Sequence, residues 1–116
     1  MVKIQFMKVD QKGHTITIKD TQGDFASFLD KVSQSNTSFD THNLIIDLSH
    51  NKSVTLTDLK LLLPLAKQHK KAKKSFVVVA EGIDFNAVPS QLVVVPSNLE
   101  AHDIIEMEEI ERDLGF

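Results

Sequence analysis

With 116 residues, 41% hydrophobic and 25% charged, the chain suits one folded domain with one core, and disorder is not expected. It contains no cysteine, which excludes disulfides, thiolate metal sites and thiol catalysis together. The net charge is only −3, yet residues 67–74 hold five lysines and residues 100–113 hold seven acids and one base.

The first residues alternate. Val2, Ile4 and Phe6 point to one face, Lys3 and Gln5 to the other. Residues 14–19 alternate again, with Ile16 and Ile18 inward and Thr15, Thr17 and Lys19 outward. Asp10, Gln11, Lys12 and Gly13 between them have turn chemistry, and Gly13 is available for positive φ. This pattern predicts an antiparallel hairpin with one wet face. It lacks the apolar stretch of a signal peptide, and no apolar run approaches the ~18 residues that span a membrane. A cytoplasmic location is the expectation.

Residues 20–23 stop the second strand. Phe25, Phe28, Leu29 and Val32 then recur at helical spacing, with Thr21 and Asp24 placed like a capping box. Residues 33–38 are polar and end that helix, and Phe39 is expected at the core edge.

The organising stretch is residues 43–80. Leu44–Leu48 is an aliphatic run broken only by Asp47, and Phe76–Val79 contains no polar residue. Both are too short for helices and too continuous for a half-exposed sheet, so buried strands are predicted. Residues 55–70 between them suffice for about four helical turns. Strand, crossover helix and strand make a parallel βαβ unit. Thr55 is the expected N-cap, with Asp58 in the first turn. Pro64 should kink or split the helix, at ~3 kcal/mol if nothing compensates. Leu56, Leu59, Leu62, Leu63 and Ala66 share an arc of about 120° suited to the core. Leu61 and Leu65 fall outside it, one turn apart, beside Asp58 and Gln68. Residues 81–90 read as a loop with room for one helical turn, and residues 92–95 as a third buried strand. Ser97 with Glu100 is a capping box for a last helix. Its expected docking stripe is Ala101, Ile104, Met107, Ile110 and Leu114, and Glu108 with Arg112 can pair at i, i+4.

The order β-β-α-β-α-β-β-α resembles the STAS family, the sulfate-transporter and anti-sigma-factor-antagonist domain. The pieces that carry the likeness are LIIDLS, TLTDLKLLLPLAKQHKKAKK, FVVV and VVVPSNLEAHDII, in that order. The resemblance implies an α/β domain: a mixed sheet with an N-terminal antiparallel hairpin, a parallel βαβ core and helices mainly on one face. It also implies a non-enzymatic module that docks partners. Many members carry Asp-Ser-Ser/Thr-Gly at the start of the crossover helix, where the first Ser or Thr after the Asp is phosphorylated. Here that motif falls on Thr55, Leu56, Thr57 and Asp58, with the acceptor on Leu56. A one-residue shift would place Thr55 or Thr57 there. The resemblance puts the partner surface at the start of this helix, Thr55, Leu56, Thr57 and Asp58. The helical arc adds Leu61 and Leu65 as an exposed ridge, the alternative being that neighbouring helices cover them or that Pro64 turns Leu65 inward. The chain also resembles a group of short bacterial proteins ending in a similar EMEEIERDLGF, sometimes catalogued as ribonuclease Z.

The residues argue against that nuclease activity. Its His-x-His-x-Asp-His cluster holds two metals that activate water. His14, His42, His50, His69 and His102 form no such cluster. His102 and Asp103 with nearby glutamates lack metal-ligand spacing, and most such glutamates face water. Asp47 stands at the carboxyl end of a strand, where open α/β sheets bind ligands. The alternative is that Asp47 and Ser49 order the turn by holding loop amides. Gly13, Gly23, Gly82 and Gly115 are isolated, so a phosphate loop is not expected. One arginine, and no Trp or Tyr for stacking, argue against a sequence-specific nucleic-acid reader. The reading is a non-catalytic regulatory module without cofactor or metal, its switch lost, docking another protein or a second copy. The rivals are an accessory of tRNA 3′-processing that uses the lysine run and a small hydrolase or small-ligand carrier that uses the crevice near Asp47.

Overall fold

A computed structural model describes residues 7–21, 23–34 and 41–115. The expectations for Val2, Ile4, Phe6, Phe39 and residues 35–38 lie outside them. The elements are β1 (Met7–Lys12), β2 (Thr15–Asp20), α1 (Phe25–Gln34), β3 (Asn43–Asp47), α2 (Leu56–Lys60), α3 (Leu63–Lys71), β4 (Phe76–Val79), β5 (Val93–Val95) and α4 (Asn98–Asp113). A single 3-10 turn, Phe85–Ala87, interrupts the loop between β4 and β5.

The domain is α/β. Its five-stranded sheet runs β1-β2-β3-β4-β5, antiparallel between β1 and β2 and parallel elsewhere. Each parallel step advances in the same direction, and right-handed crossovers then place their connections on one face. Ile16, Ile18, Leu44, Ile46 and Val78 meet α1, α2 and α3 through Phe28, Val32, Leu59, Leu62 and Leu65. After β5 the chain folds back, and α4 covers the opposite face. There Ile45, Val77, Val79 and Val95 meet Ala101 and Ile105. Cover on both faces explains why β3 and β4 carry nearly continuous apolar runs.

Several local expectations are corrected. Asp10, Gln11 and Lys12 are strand, and the hairpin turns on Gly13 and His14 alone. Gly13 takes φ +59°, which suits a two-residue hairpin loop. The described side chains of β1 beyond Met7 are all exposed, so this edge strand is wet on both faces and charged by Lys8, Asp10 and Lys12. Asp24, not Thr21, caps α1: its carboxylate accepts from the Ser27 N–H at 3.3 Å and the Ser27 hydroxyl at 2.9 Å. The last strand begins at Val93 and lies at the other edge, so Val93 and Val94 are half-buried.

Pro64 splits the crossover helix, as its missing N–H demands. It stands in the first turn of α3, where that N–H would have no helical partner anyway. The break at Leu61 and Leu62 shifts the helical phase. Leu65 therefore turns into the core, 7% exposed, while Leu63 is half-buried and Leu61 stays 53% exposed. His69 is buried one turn later, its Nδ1 3.2 Å from the Leu65 carbonyl oxygen and its ring tilted against Phe76.

Candidate functional site

The carboxyl ends of the parallel strands hold two buried carboxylates. Asp47 accepts the Ser49 N–H at 2.9 Å and the Asn98 amide at 2.7 Å. Asp20 accepts the Gly23 N–H at 3.0 Å and the Asn51 amide at 3.4 Å. Asn51 in turn accepts the Ser53 N–H at 2.9 Å. Buried polar groups need partners, and these find them in the loops after β2 and β3 and in the first turn of α4. The geometry gives Asp47 the loop-ordering role.

The first turn of α2 is a reciprocal capping box. The Thr55 hydroxyl accepts the Asp58 N–H at 3.2 Å, and the Asp58 carboxylate accepts the Thr55 N–H at 3.1 Å. Thr55 and Thr57 are exposed, and Leu56 and Asp58 are half-buried. Residues 55–58 and Leu61 thus share the outer end of this helix. Leu65 does not join them, so the two-leucine ridge is reduced to Leu61.

A second polar network lies at the opposite ends of β3 and β4. The Ser75 hydroxyl donates to Glu108 and accepts from Arg112 Nη1 at 3.1 Å. Arg112 Nη2 donates to Asn43 Oδ1 at 3.3 Å, which also accepts the Ser75 N–H at 2.8 Å. The Asn43 amide donates to Glu109 at 2.9 Å, and His14 Nδ1 lies 3.7 Å from the same carboxylate. Asn43 and Ser75 are buried, so the network ties the second half of α4 to the sheet. Glu108 and Arg112 therefore meet through Ser75 rather than as a surface pair. The signal for this is in the sequence: Ala101, Ile105, Glu108 and Arg112 recur at i, i+4, i+7 and i+11, one helix face. Reading the apolar residues alone selects a different face.

Beside this network, between the ends of α3 and α4, opens a cleft of about 560 Å³. Lys70, Lys73, Lys74 and Arg112 line it against one carboxylate, Glu108, over a floor of Ala66, Phe76 and Val93. Lys73 has φ +60°, the only non-glycine positive φ among the described residues. It follows α3 at the position where a helix C-cap favours glycine. The Lys74 N–H reaches back to the His69 carbonyl at 2.9 Å and the Ala72 N–H to that of Gln68 at 3.1 Å.

The outer side of α4 differs from the expected docking stripe. Leu99, Met107, Ile110 and Leu114 are 73%, 62%, 57% and 67% exposed. At 100° per residue they share an arc of about 80°, opposite Ala101, Ile105 and Arg112. Asp103 interrupts this stripe, Glu106 and Asp113 border one side, and Glu100 and Glu111 border the other; all five are exposed. Met107, Ile110 and Leu114 are thus surface, and Ile105 takes the core position.

Among the described residues no three His, Asp or Glu side chains gather as a metal would need, and His102 and Asp103 are no exception. No described helix is long and apolar enough to cross a membrane. No protein-family model matches the chain, and no curated protein matches it.

Proposed function

We propose that the protein is a non-catalytic interaction module of STAS type, and that its partner lays a basic amphipathic helix on the outer face of α4. The observation that carries this reading is the exposed stripe of Leu99, Met107, Ile110 and Leu114 with acidic residues on both borders. Exposed apolar side chains on one face, rimmed by charge, are the pattern of a docking site. Apolar anchors at i, i+3 and i+7 suit a helix, and the acidic borders select a basic one. A second copy fits less well. Its own α4 would set acid against acid. Its lysine-rich α3 supplies charge, but its exposed side chains are Pro64, Lys67, Gln68, Lys70 and Lys71, without an apolar stripe. A cytoplasmic location belongs to the same reading.

The resemblance places a phosphate switch at the start of α2. Leu56 has no hydroxyl, and the Thr55 hydroxyl is engaged with the Asp58 N–H. The switch is absent in this reading. Mass spectrometry of protein from its native host is expected to find no phosphate at Thr55 or Thr57, and a stoichiometric phosphopeptide at either would restore the switch.

Docking is tested by fluorescence anisotropy with a labelled Leu/Lys amphipathic peptide. Met107→Lys with Ile110→Lys is expected to keep the melting temperature and lose binding, because both side chains are largely in solvent. Equal binding by the double variant, or by a sequence-scrambled Leu/Lys peptide, would remove α4 as the docking face.

A further inference from the structure

We infer that the cleft between the ends of α3 and α4 binds a small phosphate monoester with an apolar body. In a chain of net charge −3, this cleft gathers four cations against one carboxylate. Its volume, about 560 Å³, is that of a small-molecule site. Arg112, the single arginine, is not a loose surface group. Ser75 and Asn43 fix two of its nitrogens at 3.1 and 3.3 Å, which orients the planar fork before any ligand arrives. Ser75 and Asn43 are themselves buried and joined by a 2.8 Å bond, so the support is rigid.

Lys73 is the second argument. A lysine in the last turn of a helix suits the helix dipole, and Lys70 and Lys71 meet that need. Lys73 lies beyond the last turn, in a left-handed conformation that glycine adopts without strain. Strained backbone of this kind gathers at functional sites. Here the retained side chain adds a cation to the cleft. The apolar floor of Phe76, Val93 and Ala66 accounts for the second half of the ligand. A bare inorganic anion would leave it wet, so a phosphate with an organic body is the better fit.

Chemical-shift titration of the isotope-labelled protein tests this, with phenyl phosphate as the main probe. Inorganic phosphate and phenol separate head group from body, and a short single-stranded RNA tests the polyanion alternative. Phenyl phosphate is expected to saturate and to move the amides of Lys73, Lys74, Ser75 and Val93, more tightly than either half alone. Lys73→Gly with Lys74→Gln should weaken it roughly tenfold or more, the loss of at least one charge-assisted hydrogen bond. Glycine keeps the turn, so this variant stays folded. Lys8→Gln with Lys60→Gln, the same two charges removed from exposed positions on β1 and α2, should change binding by less than about twofold. Three results would overturn the assignment: no saturation by phenyl phosphate, an equal loss with Lys8→Gln and Lys60→Gln together, or a response to RNA alone.

Discussion

Lys73 shows how one residue can serve a site at the expense of the fold. A non-glycine residue at positive φ carries roughly 1 kcal/mol of strain or more. Lys73→Gly is therefore expected to stabilise the protein by about 1 kcal/mol, read by urea denaturation. A destabilised variant would show that the lysine side chain holds the turn by contacts of its own. Asp47 teaches the opposite lesson. Its place at a strand end and its hold on the Ser49 N–H are legible from the sequence, but its distant partner is not. Asn98 lies 51 residues away, and only the fold-back of α4 brings it to 2.7 Å. Ser75 is similar: nothing in its local sequence marks a hydroxyl that joins Glu108 to Arg112.

At the scale of elements, the strands and caps were the legible part. Period-two alternation, short apolar runs and Ser or Thr caps are local signals, and β2, β3, β4, α2 and α4 follow them. The phase of the crossover helix was not legible in the same way. Pro64 announces a break, but the size of the resulting rotation depends on two residues of turn, Leu61 and Leu62. That rotation buries Leu65 and leaves Leu61 outside. Leu65→Ala should thus cost about 2–5 kcal/mol, whereas Leu61→Ala should stay within about 0.5 kcal/mol. Thermal or urea unfolding of both variants checks this, and equal effects would mean that the helix runs through in one phase. The last helix misled for another reason. Its apolar residues do form a stripe, but the sheet claims the row that carries Glu108 and Arg112 instead. A polar network can fix a helix face as firmly as apolar contact when every member is paired.

The whole molecule separates its two charged surfaces. The outer side of α4 is acidic around an apolar stripe, while the cleft at its inner edge gathers lysines and Arg112. The resemblance to STAS modules directs attention to the start of α2, whose cap and exposed Leu61 are small and largely polar. The larger exposed apolar surface is on α4, and the proposed interaction rests there. Amide chemical-shift mapping with the Leu/Lys amphipathic peptide tests this most directly. The account predicts saturable shifts along Leu99, Asp103, Met107, Ile110 and Leu114, with the amides of residues 55–61 unmoved and the pattern lost in the Met107→Lys, Ile110→Lys variant. Shifts confined to residues 55–61, or none on α4 at a saturating peptide concentration, would contradict it.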